Sequence, residues 1–169
     1  MPSWGFNADA QGWTGDWIDT DGVGGLGCLT YGIVSNPEFR SDLISVPVAL
    51  NDPFSAWVKL VSTEYTIQGG VVEVSIVAAG SPGASSTPVI VTIPAADPQT
   101  YDSGWFRISA VFPGADTILE VQVIFSNDDE TVTFYPFVDA VYLAETDPLG
   151  SLNYTLTRSA GGVPGVVAI

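Results

Sequence analysis

A chain of 169 residues is long enough for one core that buries roughly 70% of the unfolded surface, and its 46% hydrophobic content with eight Phe, six Tyr and five Trp excludes the disordered class. Nineteen acidic residues against four basic ones leave a net charge of −15, which repels phosphate backbones and anionic membrane surfaces and so excludes nucleic acid and membrane as partners. Histidine is absent and Cys28 is the single cysteine, so Ser-His and Cys-His dyads, imidazole metal sites and an intrachain disulfide are excluded as well.

The chain opens on Met1-Pro2-Ser3-Trp4, which has neither the basic start nor the apolar stretch of a secretory signal, and the expectation is a protein made and folded inside a cell. No apolar run approaches the ~20 residues of a membrane span. Phe6-Asn7-Ala8-Asp9-Ala10-Gln11-Gly12-Trp13 reads as an opening strand and turn. The acidic cluster Asp16-Trp17-Ile18-Asp19-Thr20-Asp21-Gly22 looks like a calcium loop by composition but fails the required spacing and ends without Glu, so it reads as a solvated turn.

Leu29 to Val34 and Leu43 to Val48 are weak strand candidates, and Ala56 to Thr66 a stronger one. From Val71 to Ala79 the alternation is strict, with Val72, Val74, Ile76 and Ala78 on one face and Glu73 and Ser75 on the other. Thr87 to Ile93 follows. In Trp105 to Phe112 the residues Phe106, Ile108, Ala110 and Phe112 share a face opposite Arg107 and Ser109; in Ile118 to Phe125, Leu119, Val121, Val123 and Phe125 point inward and Glu120 and Gln122 outward. Thr131 to Phe134 and Phe137 to Leu143 complete the series. Asn51-Asp52-Pro53, Gln68-Gly69-Gly70, Gly80-Ser81-Pro82-Gly83, Pro113-Gly114-Ala115-Asp116 and Asn127-Asp128-Asp129-Glu130 supply the turns between them.

Nothing carries a sustained 3.6-residue pattern. The chain therefore reads as all-β, an antiparallel β-sandwich of eight or so strands over residues 1–146, with a C-terminal arm over 147–169. Two features call for partners. Val71, Val77, Ile90, Val111, Ile118 and Ile124 fall on outward faces, and the arm ends in the apolar Gly161-Gly162-Val163-Pro164-Gly165-Val166-Val167-Ala168-Ile169. Single exposed apolar residues are normal, whereas a contiguous set marks a contact surface.

The opening Phe6-Asn7-x-Asp9-x-x-Gly12-Trp13, the Trp-containing Gly104-Trp105-Phe106-Arg107-Ile108 and the closing Phe137-Val138-Asp139-Ala140-Val141-Tyr142-Leu143 together resemble the carbohydrate-binding-module type of jelly roll, within the galactose-binding-like group. The resemblance covers Trp4 to Glu145. It implies a structural calcium with Asp139 as a ligand and Asn7 and Asp9 as looser matches; the alternative for Asp139 is a carboxylate that accepts hydrogen bonds from backbone amides at a strand end. It also implies exposed aromatic platforms for a glycan. Trp13, Trp17, Trp57, Trp105, Tyr31, Tyr65 and Tyr101 are candidates, and Trp57 and Trp105 lead because alternation places them opposite the apolar face of their strands.

A glycan-binding module ordinarily travels with a catalytic domain behind a signal peptide, while stand-alone jelly rolls resemble the decoration and minor tail proteins of bacteriophage virions. The leading expectation is thus a non-enzymatic structural virion protein, a homotrimer held partly by its arm, with a major capsid or tail protein as partner. The alternative is a stand-alone module that binds a host-surface glycan.

Overall fold

The computed structural model describes residues 2–62, 69–95, 100–127 and 132–144, together with the backbone of 154–157 and 165–168. Among these residues there is no helix. The strands are β1 (Ser3–Trp4), β2 (Asp16–Ile18), β3 (Cys28–Thr30), β4 (Glu38–Arg40), β5 (Val46–Val48), β6 (Pro53–Ser62), β7 (Gly70–Ala79), β8 (Ala84–Ser85), β9 (Val89–Ile93), β10 (Tyr101–Asp102), β11 (Phe106–Val111), β12 (Asp116–Ile118), β13 (Glu120–Ser126), β14 (Tyr135–Leu143), β15 (Tyr154–Thr157) and β16 (Gly165–Ala168). The fold is the all-β antiparallel sandwich that the alternation predicts.

One layer is a seven-stranded sheet centred on β6 and β14. β11 and β10 pair with one edge of β6, while β3 and β1 pair with the free edge of β14 and β2 closes the side beyond β3. Ser3 opposite Tyr142 and Trp4 opposite Val141 bring the opening of the chain against its closing strand. The other layer is a five-stranded sheet in which β13 lies between β4 and β7, and β7 pairs along its far edge with β8 and β9. β5 and β12 form a small separate ladder.

The core lies between the layers. Phe54, Ala56, Val58 and Leu60 from β6 meet Val72, Val74, Ile76 and Ala78 from β7 and Val121, Val123 and Phe125 from β13, all fully buried. Period two delivers these sets because successive side chains of a strand point to opposite faces. Phe54 stacks on Phe112 with centroids 4.7 Å apart, and Trp13 meets the edges of Trp4 and Phe6 at 5.4 and 5.8 Å. These contacts anchor the irregular opening segment to the sandwich.

Three departures from strict alternation are instructive. Leu119 was expected inward and Ile118 outward, but Ile118 is buried and Leu119 exposed. The chain breaks between β12 and β13 there: Leu119 donates its amide to Ala79 and accepts at its carbonyl from Ile44, so the parity of Asp116–Ile118 belongs to the ladder with β5. Of the segment expected over Thr131 to Phe134, Thr131 lies outside the described residues and Phe134 forms a bridge to Val34, and the closing strand starts earlier than expected, at Tyr135. Finally, the register of β14 on β6 shifts between Asp139 and Tyr142, where Ala140 adopts φ 46°. Such a bulge inserts an extra residue and re-aims the side chains beside it.

Of the C-terminal arm, β15 and β16 pair antiparallel, Tyr154 opposite Ala168 and Thr157 opposite Gly165. The remainder of that expectation lies outside the described residues, as do Tyr65 and the end of the strand expected over Ala56 to Thr66.

Candidate functional site

The outward face of the seven-stranded sheet collects most of the chemistry in the molecule. The register sets Trp57 of β6 directly opposite Asp139 of β14 on one side and Arg107 of β11 on the other, and sets Lys59 opposite Phe137. Directly opposed residues share a face, so Trp57, Lys59, Arg107, Phe137 and Asp139 lie together. Trp105, two residues before Arg107, joins them. The Lys59 ammonium sits 4.5 Å from the Phe137 ring centroid and 5.3 Å from that of Trp105, and the two rings meet edge to face at 6.5 Å.

A glycine-rich loop between β2 and β3 lies across this face. The amide of Val23 donates to Asp139 Oδ2 at 2.8 Å, Trp105 Nε1 donates to the carbonyl of Asp21 at 2.8 Å, and Cys28 Sγ donates to the carbonyl of Thr20 at 3.4 Å. Gly22 donates to Leu26 and Gly25 to Gly22, which folds the loop into a tight turn. Glycine is required at Gly22, because an added Cβ would collide with the carbonyls of Leu26 and Gly27. Gly24 and Gly25 both have φ 81°, the left-handed region that costs glycine nothing.

The electrostatics follow from this cover. Asp139 is 2% exposed. Burial pushes its carboxyl up to about 7, against the opposing pull of the Val23 and Ala140 amides. The Cys28 thiol is pushed up to about 12, first by burial and then by the Asp139 charge. A thiol held so far above neutral is an inert packing group.

Two sequence expectations meet different fates here. Trp57 is no platform: at 3% exposure it is enclosed. The alternation was right that it leaves the apolar face of β6, but β6 is an interior strand, paired on both edges, and its outward face is covered too. Trp105 is half-buried and lies at the margin of the covered region, tethered through its indole N–H. Among the other aromatic candidates Trp13 is buried, and Trp17, Tyr31 and Tyr101 are half-buried. Lys59 and Phe137 were not legible as neighbours of Trp105; their outward parity was readable, but the pairing of β6 with β14 was not.

The residues proposed for calcium are not alike. Asp139 is sealed under the loop with each carboxyl oxygen serving a backbone amide, Oδ1 from Ala140 and Oδ2 from Val23. Asn7 and Asp9 are exposed, and Asp9 Oδ1 accepts the amide of Gln11 within its own turn. Among the described residues no group of three or more acids or thiols is placed to hold a metal. Calcium takes six to eight oxygens, and this donor set does not fit it.

No family model matches the chain, and no match is found among curated proteins. Solved structures do match. A carbohydrate-binding module of family 28, described as specific for non-crystalline cellulose, has a TM-score of 0.48 at 16% identity, covering 80% of this chain and 88% of that one. The C-terminal family 22 module of Clostridium thermocellum Xyn10B, whose cleft is described in ligand binding, has a TM-score of 0.45 at 13% identity, covering 86% and 94%. The module TmCBM61, in complex with β-1,4-galactotriose, has a TM-score of 0.34 at 14% identity, covering 84% and 86%.

Proposed function

We propose that this protein is a non-catalytic glycan-binding module whose ligand lies on the outward face of the seven-stranded sheet, against Trp105. The observation that carries the reading is the fixed, half-buried indole of Trp105 beside the cation and ring of Lys59 and Phe137. A sugar presents an apolar C–H face and a rim of hydroxyls, and a ligand site of that kind needs an aromatic surface with a few placed polar groups. Tethering the indole N–H to Asp21 orders the ring before the ligand arrives, which lowers the cost of binding. Retention on a panel of insoluble and soluble polysaccharides is the test. Trp105→Ala is expected to abolish retention while still unfolding in one cooperative transition, at a lower midpoint because the tether to Asp21 is lost, and equal retention of wild type and variant on every polysaccharide would overturn the reading.

A second reading, attachment to a virion as a capsid or tail component, is favoured by a different surface. Val71 and Ile90 are 48% and 55% exposed and lie diagonally across the β7–β9 ladder on the outward face of the five-stranded sheet. Trimerisation through that face and the C-terminal arm belongs to this reading. Light scattering of the full chain and of Val71→Ser/Ile90→Ser, with addition to particles lacking the protein, checks it; a monomer that adds to no particle removes it.

A further inference from the structure

Lys59 is placed in an unusual way for a strongly acidic protein. It is one of four basic residues in the chain, it is 8% exposed, and it lies on an interior strand of the larger sheet. Arg40, by contrast, is exposed on the other sheet and forms ion pairs with Glu38 at 2.7 Å and Glu120 at 3.3 Å. The Lys59 ammonium is given two aromatic faces instead, and among the described residues it has no hydrogen-bond acceptor or carboxylate partner.

Ring faces attract a cation, but they leave its three N–H donors without acceptors. A cation kept in such surroundings is arranged for an acceptor that arrives with the ligand.

We infer that Lys59, beside Trp105 and Phe137, binds a carboxylate carried by a sugar ring, so that the ligand is a polysaccharide with isolated uronic-acid or equivalent acidic groups on an otherwise neutral backbone. This deepens the glycan-binding reading and rests on it. Charge selects the sparse pattern. A net charge of −15 repels a polymer that is anionic at every residue, and the repulsion acts over roughly 8 Å at physiological salt. A single carboxylate beside the Lys59 ammonium gains a short charge-assisted hydrogen bond, while the neutral sugars around it meet no such field.

Matched polysaccharides separate the two levels of the claim: hydroxyethylcellulose against lightly carboxymethylated cellulose, unsubstituted xylan against glucuronoxylan, and polygalacturonate as the dense polyanion. Wild type is expected to bind the carboxylated member of at least one pair about tenfold more tightly than its neutral partner, and polygalacturonate more weakly than that member. Lys59→Met should reduce the carboxylated member to the level of the neutral one, Lys59→Arg should retain part of the preference, and Arg40→Met should leave it unchanged. Unfolding curves of each variant establish that it is folded, and Lys59→Arg carries the comparison should Lys59→Met be unstable. Equal binding within every pair, unaltered in Lys59→Met and still lost in Trp105→Ala, would overturn the carboxylate inference and leave the glycan reading standing. Failure to bind any member would remove both.

Discussion

The outward faces of the two sheets have opposite characters. On the five-stranded sheet, Val71, Ile90 and Thr92 stand in solvent around Glu73. On the seven-stranded sheet, Trp57 and Asp139 are nearly as buried as the core, beside a loop stapled down by Asp139 and Trp105. An apolar surface left open and a charged surface closed over invert the usual partition. What decides the matter is the cover, and cover comes from loops and strand order rather than from the alternation within a strand.

The strongest way to break this comparison is to truncate one residue on each face. Trp57→Ala is expected to cost about 3–5 kcal/mol, as for an aromatic side chain removed from a core, whereas Ile90→Ser should stay within about 0.5 kcal/mol. Denaturant unfolding with an unchanged slope measures both, and similar values for the two would mean that the covered face is open in solution.

Next in size is the titration of Asp139. Its carboxyl is raised to about 7 in the folded protein and lies near 3.9 in an unfolded chain. The folded state therefore binds the extra proton between these values, so the contribution of Asp139 to stability is fully present below about pH 4 and is lost as pH rises through about 7. Asp139→Asn cannot titrate. The stability of wild type relative to this variant should fall by about 1 kcal/mol or more across that window. Parallel pH profiles would show that Asp139 stays charged under its loop. Asp116 shifts the other way, held below its ordinary value by the amides of Gly83, Thr117 and Ser81, which is why the variant difference is the quantity to follow.

The smallest expected effect concerns calcium. Because both Asp139 oxygens already serve amides, melting curves in excess chelator and in excess calcium should coincide. A rise in melting temperature with calcium that Asp139→Asn removes would reinstate the metal.

Much of the fold was legible because β7, β11 and β13 alternate cleanly and because turns such as Asn51-Asp52-Pro53 break them; there Asp52 Oδ2 accepts the amide of Ala49 and Asn51 takes φ 68°. The closing strand was legible as well, but the strand that opens the chain was read over Phe6 to Trp13, and its true place at Ser3 and Trp4, against Tyr142 and Val141, was not. Trp105 was readable as an outward aromatic. Trp57 was misjudged because parity says which face a side chain leaves, not whether another segment lies on the face it joins. Lys59 and Phe137 were invisible as a pair, since they lie 78 residues apart and meet only through the β6–β14 register.

The bulge in β14 has a consequence for comparing this chain with others of its shape. Before it, Phe137 and Asp139 point outward on odd positions; after it, Tyr142 is the residue opposite Ser55, and Val141 and Leu143 turn into the core. Unbroken alternation from Tyr135 would have placed Val141 and Leu143 in the outward set and Tyr142 among the apolar side chains. One strand thus speaks two phases, joined at Ala140. Any superposition or alignment that runs through this strand without a one-residue gap will match outward positions in one half and mislabel core positions as surface in the other.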